Sequence, residues 1–127
     1  MKTVLIDTNI LIDHLKGRPE ARACLQECLQ QKLKMACSVI TRIELFSSMR
    51  PEEEHLIELF LSGFDKIEVT DTIAGTAGKY LNQYRKSHGI NMADAIIAAT
   101  AQHAGSKLYT IIIKHYPMEE IEVYRPY

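Results

Sequence analysis

The sequence predicts an α/β protein, a three-layer α/β/α sandwich around a parallel sheet of four to five strands. Short apolar runs alternate along the chain with longer amphipathic segments, which is the order of strands and helices in a parallel sheet. The strand candidates are apolar on both faces, as they are when helices cover both sides of a sheet. Polar residues suited to begin a helix follow each of the first two strands directly.

The first strand is predicted at residues 4–6, a branched apolar run at the start of the chain. The polar triplet at residues 7–9 can cap a helix that extends to Leu15. Pro19 suits the first turn of a second helix. This helix is predicted over residues 18–34, because apolar residues recur there at helical spacing.

The middle of the chain repeats the order of strand and helix. Residues 35–40 form the next apolar run, and Thr41 and Glu44 have the spacing of a capping box that opens a helix. A further amphipathic helix with acidic residues in its first turn is predicted over residues 51–61. A brief strand is predicted at residues 66–69.

The last third contains the two most distinctive helices. The first begins at residues 70–71, continues to about Ser87 and is ended by Gly89. The second, at residues 91–104, is so rich in alanine and isoleucine that it is expected to be buried on nearly all sides. Strands follow at residues 107–113 and 121–124, the latter as a possible edge strand.

The composition limits the class of protein. A chain of 127 residues with 46% hydrophobic and 24% charged residues supports a single domain over residues 1–127 and excludes disordered or disulfide-framework chains. The net charge of −1 shows no strongly basic footprint for nucleic acid but allows a local patch. No signal peptide and no run of roughly 20 apolar residues is evident. The three cysteines do not have the spacing of a zinc site, which favours a reducing compartment. Together these features predict a cytoplasmic protein without a membrane span.

Three carboxylates occur at predicted strand-to-helix junctions: Asp7, Glu44 and Asp94. Each has a structural interpretation, as an N-cap, as the partner of Thr41 in a capping box, and as a charge at a helix N-terminus, respectively. Together they would lie at the carboxyl edge of one sheet, where like charges about 4–6 Å apart repel by a few kcal/mol. Oxygen ligands with no cysteine or histidine at metal-ligand spacing suit Mg²⁺ or Mn²⁺, so we predict a metal site for phosphate chemistry.

Three segments resemble the signature segments of PIN-domain nucleases, and in particular those of VapC-type toxins from toxin–antitoxin pairs. They are residues 6–13 (IDTNILID), 38–45 (SVITRIEL) and 94–101 (DAIIAATA). Residues 114–118 and 125–127 also look like the C-terminal segment of that family. Each segment alone is a weak signal, but their order and spacing are specific.

The resemblance implies that Asp7, Glu44 and Asp94 bind a divalent metal, and that the protein cuts RNA. It also implies a homodimer and a cognate antitoxin whose tail covers the active-site groove. The chain departs from the family at Ile112, where Asp or Asn is common two residues after Thr110. Either three carboxylates suffice, another group compensates, or nuclease activity is weakened or lost, which leaves a PIN-fold binding module as the alternative.

Further residues are candidates for support of the site. Thr8, Asn9 and Thr41 can hydrogen-bond carboxylates or water, although all three are also common cap and turn residues. Arg42 lies in the same helical turn as Glu44 and is the candidate for binding RNA phosphate. Apolar residues that could form a groove for a partner, or face the core instead, are Ile43, Leu45, Phe46, Met49, Leu56, Leu59 and Phe60.

Two other functions fit parts of the pattern. A receiver-type phospho-acceptor domain has a similar length and sheet, but the chain lacks paired acids after the first strand and an acceptor Asp after a middle strand. An RNA-processing nuclease without an antitoxin remains the third possibility.

Overall fold

The computed structural model describes residues 2–127, and within them five strands form one parallel sheet. The strands are β1 (Thr3–Ile6), β2 (Lys34–Ser38), β3 (Asp65–Ile67), β4 (Lys107–Tyr109) and β5 (Val123–Tyr124). The helices are α1 (Thr8–Leu15), α2 (Pro19–Gln30), α3 (Ile40–Ser47), α4 (Glu54–Leu61), α5 (Asp71–His88) and α6 (Met92–Ala104). The strand order is β3-β2-β1-β4-β5, which puts β1 at the centre and β5 at an edge.

The two faces of the sheet are covered by different helices. Leu5, Ala36 and Leu108 face a cluster that contains α5 and α6 residues, whereas Val4 and Ile6 face a cluster built with α1, α2 and α4. Adjacent residues of β1 point to opposite faces, and both sets are buried. The structure therefore confirms the three-layer sandwich with a parallel sheet.

The two long helices end as the sequence predicts. The Thr70 side chain accepts a hydrogen bond from the Ile73 backbone N–H at 3.2 Å, and Gly89 ends α5 in the left-handed region at φ 62°. Seven α6 residues are buried. Burial is not complete at the helix start, because Met92 is 66% exposed.

Several predicted boundaries are wrong. The second helix ends at Gln30 rather than residue 34, because Lys34 already pairs with Thr3 in the sheet. The helix predicted over residues 51–61 begins with a separate 3₁₀ turn, Pro51–Glu53, and the strand predicted at residues 66–69 is β3, which ends at Ile67.

The remaining errors lie beside the carboxyl edge of the sheet. Helix α3 begins at Ile40, before Thr41, so Thr41 and Glu44 do not form a capping box. Strand β4 ends at Tyr109 instead of residue 113, and the chain leaves the sheet where the Thr110 hydroxyl turns to the end of β1.

In residues 2–127, no helix has both the length and the apolar character to span a membrane.

Candidate active site

Asp7 lies at the centre of the carboxyl edge, directly after β1. Its backbone N–H donates to the Tyr109 carbonyl at 2.9 Å, which fixes the residue against β4. Its carboxylate atom Oδ2 accepts hydrogen bonds from the Thr110 hydroxyl at 2.7 Å and the Tyr116 hydroxyl at 3.2 Å. Asn9 donates to the same oxygen at a long 3.5 Å. The residue is 3% exposed, so a carboxylate is buried with hydroxyl donors and no neutralising side chain bonded to it.

The electrostatics of Asp7 show that the other two carboxylates are near. Burial raises the pKa of Asp7 from 3.8 to about 6, while the hydrogen bonds from Thr110 and Tyr116 act to lower the pKa. The charges of Asp94 and Glu44 make a smaller contribution to the same rise in pKa. Asp94 and Glu44 therefore both lie close enough to Asp7 to raise its pKa.

Glu44 is held by hydroxyl groups rather than by a helix cap. Its Oε1 accepts a hydrogen bond from the Thr8 hydroxyl at 2.7 Å, and the Thr8 and Thr41 hydroxyl oxygens are 2.8 Å apart. Both threonines are buried, so α1 and α3 meet through a short chain of hydroxyl groups that ends at the carboxylate. The structure thus brings Thr8 and Thr41 to the site.

Asp94 caps helix α6 and also lies at the carboxyl edge near Asp7. Its backbone N–H donates to Asn91 Oδ1 at 2.8 Å, and its Oδ2 accepts from the Asn91 backbone N–H at 3.0 Å, which is a complete capping arrangement for α6. His115 Nδ1 lies 3.3 Å from the same Oδ2. Asp94 therefore caps the buried helix and also contributes negative charge next to Asp7.

The donor set suits a hard cation, although the described residues do not form a closed ligand shell. Within residues 2–127, no group of three or more His, Cys, Asp or Glu side chains is close enough to hold one metal ion. In the same range, no lysine or arginine forms an ion pair with Asp7, Glu44 or Asp94. A buried carboxylate with two acidic neighbours and no such counter-ion has the chemistry of a Mg²⁺ or Mn²⁺ site. The metal roles of the three residues stay predictions.

Arg42 is engaged away from the carboxylates. Its guanidinium forms an ion pair with Glu58 on α4 and lies 5.4 Å from the centre of the Phe46 ring. Its side chain is 39% exposed. The structure therefore brings it to the α3–α4 surface, and its contact with RNA stays a prediction.

The direct contacts made by Thr110, His115 and Tyr116 are absent from the sequence-based site. The sequence gives no indication of the Tyr116 contact, because Tyr116 is 109 positions from Asp7 and its sequence context does not show where its hydroxyl points. Only the fold reveals that this segment returns to β1.

Residues 4–110 match the model of the PIN domain. The chain belongs to the PIN domain family. Among curated proteins, Ribonuclease VapC19 of Mycobacterium tuberculosis is 39% identical over 115 residues, which cover 90% of this chain and 92% of that protein. Ribonuclease VapC10 of the same organism is 36% identical over 118 residues, which cover 92% of this chain and 88% of that protein.

Solved structures with a similar fold align with nearly the whole chain. A toxin–antitoxin complex from Klebsiella pneumoniae has a TM-score of 0.77 at 30% identity and covers 98% of both chains. VapBC-1 from nontypeable Haemophilus influenzae has a TM-score of 0.80 at 26% identity, again with 98% of both chains covered. Within the PIN domain family, this chain is therefore a VapC-like protein.

Proposed function

We propose that this protein is an endoribonuclease that depends on Mg²⁺ or Mn²⁺, hydrolyses RNA phosphodiester bonds, and is the toxin of a toxin–antitoxin pair. The observation that carries the proposal is the buried Asp7 carboxylate, with Asp94 and Glu44 close enough to raise its pKa. The similarity to Ribonuclease VapC19 and Ribonuclease VapC10 supports the same reaction.

In this proposal, Asp7, Glu44 and Asp94 hold the metal. When bound, a dication supplies polarisation of the scissile phosphate and a water with a lowered pKa for in-line attack. The protein orients the ligands: Thr110 and Tyr116 hold Asp7, and Thr8 holds Glu44. Because Asp7 is buried, its charge is little screened by solvent and attracts a cation strongly.

Incubation of the purified protein with total cellular RNA tests the proposed activity. We expect cleavage with Mg²⁺ or Mn²⁺, no cleavage with EDTA, and no cleavage above the EDTA background by Asp7→Asn. Fragments are measured by denaturing gel and end mapping, and Mn²⁺ binding is measured by calorimetry in parallel. A wild-type protein that neither binds Mn²⁺ nor cleaves RNA would instead favour the binding module that Ile112 suggests.

RNA binding needs cations around the acidic site. We propose that Arg42 contacts an RNA phosphate. Its ion-pair partner Glu58 is about half exposed, so the pair is weak and an RNA phosphate can compete with Glu58 for the guanidinium.

The antitoxin is proposed to bind an apolar groove between α1, α3 and α4. A cleft of about 160 Å³ on this surface is lined by apolar side chains, among them Ile12, Leu15, Leu45, Met49, Leu56 and Ile57. Leu56 is 61% exposed, and Ile43 and Leu59 nearby along the helices are 67% and 63% exposed. Of the predicted groove residues, only Leu45, Met49 and Leu56 line this cleft, so the surface is narrower than the sequence suggests.

Substitution of Leu56, an exposed residue of the cleft, tests the proposed antitoxin-binding groove. We expect Leu56→Asp to lose co-purification with the co-expressed cognate antitoxin while RNA cleavage persists, because a charge cannot be buried against an apolar helix without cost. Leu29→Asp is the matched control, since Leu29 is equally exposed on α2 outside the groove. Equal recovery of the partner with both variants would contradict the assignment.

We also propose that the toxin is a cytoplasmic homodimer, as its RNA substrate and its family resemblance suggest. Size-exclusion chromatography with light scattering measures the dimer, and a monomer at micromolar concentration contradicts it.

A further inference from the structure

Tyr116 is the one tyrosine, among the described residues, whose hydroxyl bonds to a carboxylate of the proposed site. The residue follows a 3₁₀ turn, Ile113–His115, that the chain forms after leaving β4. It is 3% exposed, and its hydroxyl lies 3.2 Å from Asp7 Oδ2. His115, the preceding residue, lies 3.3 Å from Asp94. One turn therefore reaches both carboxylates.

Hydrogen bonds hold the residues on either side of the 3₁₀ turn Ile113–His115. The Ile112 backbone N–H donates to the Thr110 hydroxyl at 3.1 Å, and the Tyr116 backbone N–H donates to the Ile113 carbonyl at 2.9 Å. The Tyr116 ring packs in the apolar cluster beneath α6. A ring held by packing leaves its hydroxyl a single direction, so the contact with Asp7 is preorganised rather than adaptable.

The hydrogen bonds to Asp7 are unequally divided between its two oxygens. Thr110 and Tyr116 both donate to Oδ2, whereas Oδ1 accepts no hydrogen bond from the described residues. A carboxylate anchored through one oxygen presents the other in a defined direction. This is the arrangement that positions a ligand for a cation.

We propose that Tyr116 is a positioning residue for Asp7: its hydroxyl fixes Oδ2 together with Thr110, directs Oδ1 to the cation, and replaces the polar support that Ile112 cannot give. The inference rests on the proposed function. It explains how a chain with an apolar residue at position 112 keeps an oriented carboxylate. Tyr116 itself touches neither metal nor RNA in this arrangement.

Tyr116→Phe tests the inference, because it removes one oxygen and keeps the ring in the core. We expect Mn²⁺ to bind about tenfold more weakly by calorimetry, which is the usual loss when a residue that orients a ligand is changed. We expect kcat for RNA cleavage to fall by a similar factor while KM for RNA stays within about twofold, because no RNA contact is lost.

Tyr80→Phe is the matched control. Tyr80 is also buried and its hydroxyl bonds to Gln102, far from the acidic edge of the sheet, so this variant loses a buried hydroxyl without changing Mn²⁺ affinity or kcat. Ile112→Asn in the Tyr116→Phe background is expected to restore Mn²⁺ affinity, because it adds a polar side chain at the residue whose backbone N–H bonds to Thr110, the other hydroxyl that holds Asp7.

Each outcome decides the inference. Mn²⁺ affinity within twofold of wild type in Tyr116→Phe overturns it, as does an equal loss in Tyr80→Phe. Failure of Ile112→Asn to restore affinity overturns the claim that Tyr116 replaces the missing polar residue. Failure of the proposed function looks different, because the wild-type protein itself would then bind no Mn²⁺ and cut no RNA.

Discussion

Asp7→Asn should stabilise the metal-free protein by about 3 kcal/mol at pH 8 while abolishing RNA cleavage. Burial raises the pKa of Asp7 from 3.8 to about 6, so the folded state binds this proton more tightly than the unfolded state. The contribution of the group to stability is therefore fully present below about pH 4 and is lost as the pH rises through 6. Asparagine cannot ionise and avoids that loss.

Urea unfolding in EDTA measures this effect. The variant should be more stable than the wild-type protein at pH 8, and the difference should shrink towards zero near pH 4. Glu119→Gln, a change at an exposed carboxylate, is the control and should show no such pH dependence. An Asp7→Asn protein that is less stable than wild type at every pH would mean that burial of this charge is not the dominant cost.

Metal should reverse the order of the two proteins. An ion that binds only the folded state stabilises it by mass action, and the wild-type protein retains the carboxylate that binds the ion. Adding Mg²⁺ at pH 8 should therefore raise the stability of wild type and leave Asp7→Asn unchanged. The buried Asp7 carboxylate would then lower the stability of the metal-free protein and, in return, bind the metal ion.

The fold could be predicted because its determinants are local. Val4, Leu5 and Ile6 alternate between the two faces of the sheet, so a run that is apolar at every position indicates a strand buried on both sides. Strands buried in this way require parallel pairing and helical crossovers, which place the residue after each strand at one edge. Asp7 could be placed at that edge from its position in the chain alone.

The contacts that complete the site are nonlocal and could not be predicted. Thr41 and Glu44 have the spacing of a capping box, but the packing of α1 on α3 offers the Thr8 hydroxyl to both, and this tertiary contact replaces the local one. Residues 111–113 have high β-propensity, yet they leave the sheet because the Thr110 side chain bonds to Asp7. Side-chain hydrogen bonds between distant segments override propensity at this edge.

Asp94 should behave differently from Asp7, because its carboxylate also caps α6. Asp94→Ala is expected to abolish cleavage and to lower the free energy of unfolding by about 1 kcal/mol, since the Asn91 backbone N–H loses its partner and the helix loses an acid in its first turn. Relief of repulsion is expected to offset part of this loss, because Asp94 is among the smaller causes of the raised pKa of Asp7. Asp94→Asn keeps an acceptor for the cap and should be inactive at near wild-type stability.

A cap outside the site separates the two effects. Thr70→Ala removes the N-cap of α5, where the side chain accepts from the Ile73 backbone N–H, and should cost about 1 kcal/mol with cleavage retained. Unfolding curves and cleavage rates of the three variants then distinguish loss of charge from loss of a cap. An Asp94→Ala protein more stable than wild type would contradict this prediction. It would mean that the repulsion between Asp94 and Asp7 costs more free energy than the cap contributes.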